Sequence, residues 1–286
     1  DTSETVTDIS SDDVKSVSYT ADQDNIELDQ TEDSWVRKGE KDFPLKQDSV
    51  DSAVNNIINL SADQKITDVE DLSEYDLDAP QNEITITSGD DSTETVIQVG
   101  MKNDSTSQYY VKKSDDDKTV YLVASSALDP FMSSIYDNMA ESETFPSVTT
   151  ATISEVKVDK EDGYELTEDP KDLFWTVSDG KESEKADTSK AGNVTSAIGS
   201  LAYDKFVDYN CTDDSQYGLD DPYAVITAKY TEESTSEEST SETEESTEDS
   251  SDEDNKVTVD KEITIYVGDE ADGSRYVKVN DSKQVY

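Results

Sequence analysis

In 286 residues the chain has no His, one Cys (Cys211) and two Arg (Arg37 and Arg275). Without His there is no Ser-His-Asp triad, no Cys-His pair and no imidazole metal ligand. One Cys excludes an internal disulfide and a thiolate zinc site. Cations are scarce as a class: 23 Lys plus Arg face 70 Asp plus Glu, a formal net charge of −47. That balance argues against nucleic acid as a partner, because affinity for a phosphate backbone comes from clustered cations. It equally disfavours an anionic membrane surface. The longest apolar run is Val120–Ala124, far short of the roughly 20 residues of a spanning helix. The chain opens at Asp1 with neither Met nor a signal sequence, as expected of a mature form whose signal or anchor has been removed. Membrane attachment would then go only through an anchor absent from this sequence. The scarcity of Cys fits an exported protein of an organism that does not rely on disulfides, and cytosolic proteins can be poor in Cys too.

Apolar residues make up only 32% of the chain, and low hydrophobicity with high net charge is the signature of disorder. Two features oppose disorder here. The chain keeps 15 Tyr, 5 Phe and 2 Trp, and its apolar residues are patterned. The exception is Thr231–Asn255, whose 25 residues are 12 acidic, 12 Ser or Thr and one Asn. A tract with nothing to bury cannot offset its chain entropy and is expected to be disordered. It reads either as an expanded hairpin loop or as an acidic binding tail or decorated spacer. The rest still carries −47 + 12 = −35.

Self-similarity organises the remainder. Trp35 and Trp175 lie 140 apart, preceded by the alternating segments Val14–Tyr19 and Ile153–Val158. After the first Trp, Val50, Ala53, Val54, Ile57 and Ile58 form a helical stripe behind Asp48 or Ser49 as cap. After the second, the matching stripe is Ala191, Val194, Ala197, Ile198 and Leu201. Lys65-Ile66 then corresponds to Lys205-Phe206. Tyr75-Asp76-Leu77-Asp78-Ala79-Pro80 aligns with Tyr217-Gly218-Leu219-Asp220-Asp221-Pro222. Strands Glu83–Thr87 and Val225–Lys229 follow, then Thr95–Gly100 against Ile263–Gly268, each ending in Gly. Tyr110-Val111 matches Tyr276-Val277, and Val120-Tyr121 matches Val285-Tyr286.

Each unit reads as three strands, a helix, then about five strands, with the apolar-polar alternation of half-buried antiparallel sheet. Asp162-Gly163, Asp179-Gly180 and Asp272-Gly273 are tight-turn signals. The expected fold is α+β: two tandem repeats, each a mainly antiparallel sheet covered by one amphipathic helix. Residues 1–125 form the first repeat domain and 147–286 the second, which holds the insert 231–255. Residues 126–146 are a linker with a short helix, Phe131, Ile135 and Met139 on one face.

The Trp strand, the Phe43-Pro44-Leu45 entry, the helix, the Tyr-Gly-Leu-Asp-x-Pro motif, the strand ending Val-Gly and the Tyr-Val and Val-Tyr strands together resemble the bacterial domain-of-unknown-function family 4340. The resemblance covers nearly the whole chain, in two copies, and Tyr217–Pro222 carries it most specifically. The first copy departs from it, with Asp76 in place of Gly and Ala79 before Pro80. What the resemblance implies is location: exported or membrane-anchored envelope proteins, encoded beside ABC-type transporters of the gliding-motility kind. It carries no catalytic residues.

The candidate site residues are those of the repeated motif: Tyr75, Leu77, Asp78 and Pro80, with Tyr217, Gly218, Leu219, Asp220 and Pro222. They could bind a ligand, but a structural role is favoured. Pro80 and Pro222 can start a strand where no ladder donor is needed, and Leu77 and Leu219 would plug the core. Asp78 and Asp220 would bond turn amides, and Gly218 would supply a positive φ. Carboxylates are too numerous for any pair to mark a glycosidase. Asp269–Gly273 only superficially resembles a calcium loop. Cys211, in a polar loop without cations, reads as an inert thiol. Trp35 and Trp175 could stack on sugars, but their equivalent places favour paired core positions. The expected function is therefore non-catalytic and extracytoplasmic: an envelope protein that binds a cationic or neutral partner or ligand through one sheet face or an interdomain cleft, as an accessory to an ABC-type transporter. No cofactor, metal or catalytic residue is expected. The rivals are a structural surface spacer or adhesin-like ectodomain and, remotely, an acidic hydrolase.

Overall fold

A computed structural model describes residues 3–80, 82–235 and 256–286. The chain is mixed α and β, with mostly antiparallel sheets and few helices, and divides into two compact units, Asp1–Ser142 and Glu143–Tyr286. No helix among the described residues is long and apolar enough to cross a membrane.

The first unit runs β1 (Glu4–Thr5), β2 (Val14–Ala21), β3 (Asp24–Gln30), β4 (Trp35–Arg37), α1 (Gln47–Ile58), β5 (Ser61–Ala62), β6 (Gln64–Ile66), β7 (Asn82–Ser88), β8 (Thr93–Asn103), β9 (Gln108–Lys113), β10 (Val120–Ala124), α2 (Ser125–Met132) and α3 (Ile135–Asn138). Eight strands form one antiparallel sheet in the order β4-β3-β2-β7-β8-β9-β10-β6, and β1 pairs with β5. Alternation decides the buried face: Val17 and Tyr19, Ile26 and Leu28, Ile84 and Ile86, Ile97 and Val99 all turn inward. All five expected residues of the α1 stripe are buried. The helix begins at Gln47, so Asp48 and Ser49 lie inside it and cap nothing. Gln47 instead fixes its start, accepting from the Trp35 N–H at 2.8 Å and donating to the Trp35 carbonyl at 3.1 Å.

One expectation fails in this unit, and it concerns residues 126–146, where a short helix was expected and α2 and α3 stand. The segment expected as a linker is core: Leu128, Phe131, Ile135 and Met139 are at most 1% exposed. Phe131 meets Tyr19 edge-on at 5.1 Å. Four large apolar side chains gain more from burial, at about 1.5–3 kcal/mol each, than a solvated linker could recover.

The second unit runs β11 (Glu155–Asp159), β12 (Tyr164–Glu168), β13 (Trp175–Ser178), β14 (Ser183–Lys185), α4 (Thr188–Gly199), β15 (Ala224–Thr235), β16 (Lys256–Ala271) and β17 (Ser274–Val279). Its seven strands are antiparallel, in the order β14-β13-β12-β11-β15-β16-β17. Four named strands precede the helix and three follow it, against the expected three and about five. The buried face of α4 is Ala191, Thr195 and Ile198, at i, i+4 and i+7. Leu201, expected on that face, lies beyond the helix and is 42% exposed, and Ala197 is exposed. Asp187 caps the helix, accepting from the Ser189 and Lys190 N–H groups at 2.9 and 3.0 Å.

The expectation of disorder over Thr231–Asn255 fails at the start of that tract. Thr231–Thr235 belongs to β15, which pairs with β16 from Ala224↔Val267 out to Thr235↔Lys256. The rest of the expected disordered segment, 236–255, lies outside the described residues. Replacing 236–255 by an Asn-Gly turn should leave the melting temperature unchanged or slightly raised in calorimetry. It removes ten carboxylates and with them like-charge repulsion, and it shortens the loop to be closed. A large fall in melting temperature would refute this.

Candidate functional site

The two copies of the motif fold into one kind of corner, and its determinants begin earlier than the motif itself. Asp71 accepts from the Ser73 N–H at 2.9 Å and its hydroxyl at 2.6 Å; Asp213 accepts from Ser215 at 3.1 and 2.6 Å. These contacts lower the Asp71 and Asp213 pKa values, because hydrogen bonds to a carboxylate favour its charged form. This Asp-x-Ser cap lies just upstream of the repeated motif and was not among the candidate residues. A single 3₁₀ turn follows each cap, Leu72–Tyr75 and Asp214–Tyr217. The next residue is left-handed in both: Asp76 at φ 54° and Gly218 at φ 64°. Leu77 and Leu219 then enter the core, their N–H groups donating to the Leu72 and Asp214 carbonyls at 3.0 and 2.9 Å.

Asp78 and Asp220 are exposed, and no hydrogen bond ties either to the turn amides among the described residues; Asp71 and Asp213 bind those amides instead. Pro80 and Pro222 each stand two residues before the first residue of their strand, Asn82 or Ala224, rather than starting it. Tyr75 packs on Tyr110 at 4.9 Å and Tyr217 on Tyr276 at 5.0 Å. The strands expected to end at Gly100 and Gly268 run three residues further, each through a bulge, between Val99 and Lys102 and between Val267 and Glu270. Each glycine faces the carbonyl of the corner tyrosine, Tyr75 or Tyr217, where a Cβ would collide with it.

The left-handed position is one place where the corners differ in chemistry. A Cβ at Gly218 would meet the Asp269 carboxylate. Gly218→Asp should therefore cost about 2 kcal/mol or more, combining the left-handed conformation with two facing carboxylates. Asp76→Gly should stay within about 0.5 kcal/mol of the parent, because backbone relief is offset by unfolded-chain entropy. Urea denaturation would check both, and equal losses at the two positions would refute the assignment.

Beside the first corner lies a cleft of about 460 Å³ lined by Glu70, Asp71, Leu77, Asp78, Gln98 and Lys112, among others. Lys112 projects from β9 with its side chain 5% exposed, while its ion-pair partner Asp117, 2.7 Å away, is 74% exposed. A buried ammonium thus sits under a rim of exposed carboxylates. Such a floor and rim can hold a small molecule with a cationic end and an acceptor oxygen.

In the second corner the residue aligned with Lys112 is Lys278, whose Nζ donates to Asp214 at 2.8 Å. Cys211 stands in the expected loop, but its side chain is buried among Leu219 and Val285 and its thiol donates to Asp214 at 3.3 Å. Lys278 lies in this cluster, yet the thiol pKa is raised, first by burial and then by the Asp214 bond. Cys211 should react with a disulfide reagent at neutral pH at least about tenfold more slowly than a peptide thiol, until denaturant is added. Labelling followed by absorbance would decide; fast labelling of folded protein would refute it.

The remaining candidates are placed plainly. Trp35 and Trp175 are 4% and 8% exposed, each opening a strand. Asp269–Gly273 is a strand end and a hairpin turn, Asp272 and Gly273 at φ 51° and 85°, the left-handed pair that a two-residue hairpin uses. Among the described residues no group of three or more His, Cys, Asp or Glu is placed to hold a metal. Both arginines are engaged: Arg37 with Asp24 and Glu40, Arg275 with Glu270 and stacked on Tyr223 at 3.9 Å.

No curated protein and no solved structure matches the chain. One family model does, over the continuous stretch 35–222, from Trp35 in the first unit to Pro222 in the second corner. The chain belongs to the family described as Domain of unknown function (DUF4340).

Proposed function

We propose that this chain is a non-catalytic binding protein of the cell envelope, working outside the cytoplasm, anchored to the membrane, as an accessory to an ABC-type transporter. The setting follows from what the family resemblance implies. The observation that carries the binding reading is the Lys112 cleft, a buried cation beneath exposed carboxylates. The acidic composition favours a cationic or neutral ligand. Catalysis is argued against by the absence of His and by the raised pKa of the Cys211 thiol.

The two units are duplicated copies in this reading. Six strands support it: β4-β3-β2-β7-β8-β9 and β13-β12-β11-β15-β16-β17 follow the same spatial order. Bulges, left-handed residues, caps and tyrosine pairs recur at matched places. One correspondence moves. Val120 pairs with Ile66 and Val285 with Asp208, so Asp208, not Phe206, stands where Ile66 does.

The test is a thermal-shift screen of cationic and neutral small molecules on the full chain, repeated with Lys112→Met. Stabilisation that disappears in Lys112→Met supports the cleft. No stabilisation by any compound points to a spacer. Turnover of a glycoside, peptide or ester that one Asp or Glu substitution abolishes makes the protein an enzyme. Protease treatment of intact cells tests the location, and protein cut only after lysis would overturn it.

A further inference from the structure

The hairpin of β15 and β16 is longer than the sheet that holds it. Strand β11 pairs with β15 only as far as Glu155↔Lys229. Next on that side Thr152 meets Thr231, the Thr231 N–H donating to the Thr152 hydroxyl at 3.2 Å. On the other side β17 reaches Ile265↔Val279, and Asn280 closes on Thr264, its N–H donating to the Thr264 carbonyl at 2.8 Å and its side chain accepting at 2.9 Å. Beyond these points Glu232–Ser234 and Val257–Val259 project as a two-stranded ribbon, and on the β17 side Val257–Glu262 of β16 is an edge without a described neighbour.

The groups of this free edge can be assigned. Thr264 turns its N–H and C=O toward the β17 side. Backbone groups of an antiparallel strand alternate between its two neighbours, so Glu262, Asp260 and Thr258 turn theirs the same way. No described strand lies there. The faces alternate as well. Val257 and Val259 lie on the face that continues inward to the buried Ile263 and Ile265, yet they are 50% and 37% exposed. The opposite face presents Thr258, Asp260 and Glu262, all exposed.

We infer that this edge is a strand-addition site for an extended segment of a partner protein in which apolar and cationic residues alternate. Main-chain bonds to Thr258, Asp260 and Glu262 would supply affinity. Period-2 alternation would set the segment's apolar residues beside Val257 and Val259 and its Lys or Arg beside Asp260 and Glu262. Charge selects the occupant. This part of the hairpin carries Glu232, Glu233, Asp260 and Glu262 against Lys256 and Lys261, on a chain of net charge −47. A second copy would bring like charge to the edge, and charged edges are how sheets avoid self-pairing. This site does not depend on ligand binding at the Lys112 cleft.

The experiment titrates the full chain with a fluorescent peptide of four Lys-Val repeats, and with a Glu-Val peptide as control, reading anisotropy and amide hydrogen exchange. The Lys-Val peptide should bind, weaken as salt rises, and protect the amides of Thr258, Asp260 and Glu262. Asp260→Pro removes one outward N–H without touching the β15 side of the ladder, and should weaken binding at least about tenfold with the melting temperature unchanged. Val259→Lys, which keeps every backbone donor, should weaken it too. Binding that is unchanged in both folded variants, or that leaves those amides unprotected, would overturn the site as mere attraction to an acidic surface. Peptide-free dimers seen by ultracentrifugation and abolished by Asp260→Pro would assign the edge to a second copy instead.

Discussion

Gly268→Ala is expected to cost about 3 kcal/mol or more and to unfold the second corner first. The added methyl would be driven into the Tyr217 carbonyl, with the Leu219 side chain 3.2 Å away. Relief requires moving either the bulge of β16 or the 3₁₀ turn, and Leu219 anchors that turn in a cluster with Cys211 and Val285. Gly100→Ala should behave alike, since its methyl would meet the Tyr75 carbonyl and Leu77. Gly192→Ala is the control. It sits inside α4 with nothing within 4 Å of its Cβ, so it should stabilise the helix by about 0.5–1 kcal/mol. Urea titrations of the three variants decide the matter. If the Gly100 and Gly268 variants lose less than about 1 kcal/mol, the close approach is wrong.

Ile57→Ala is expected to cost about 3–5 kcal/mol and Ile198→Ala about 2, both by deleting buried branched volume and leaving a cavity. The ranking follows from packing. Ile57 is fully buried among four other apolar residues of α1, under a face that α2 also covers with Leu128 and Phe131. Ile198 is 6% exposed and shares the face of α4 with the small buried Ala191 and Thr195 and the half-buried Val194. Chemical denaturation would test both, and a loss below about 0.5 kcal/mol at Ile57 would show that α1 does not cover the sheet.

Position by position, the chain reveals its local periods and hides its long-range partners. The α1 stripe was legible because five apolar residues fall at helical spacing with no competing pattern. The α4 stripe was partly legible: Ala191 and Ile198 are buried and Val194 packs half-buried against the same core, but Ala197 is exposed and Thr195 is buried in the helix where hydrophobicity alone gave it no place. The corner leucines were legible from the motif. The caps at Asp71 and Asp213 were not, since an Asp among 70 acidic residues carries no contrast. The Ser125–Asn138 helices read as a linker because a short apolar segment looks the same whether it packs on its own unit or bridges two. The bulges past Gly100 and Gly268 depend on which strand lies alongside, which no local pattern encodes. The Lys112 cleft was missed for the same reason: nothing near Lys112 in sequence marks it as buried.

The placement of the two tryptophans has a spectroscopic consequence. Each compact unit contains one, Trp35 in the first and Trp175 in the second. The Trp35 indole N–H donates to Asp51 at 2.8 Å, so its emission also reports whether α1 is docked. Trp35→Phe leaves a chain whose fluorescence follows only the second unit, and Trp175→Phe one that follows only the first. Coincident denaturation curves from the two variants would mean one cooperative molecule, and separated curves two independent folding units.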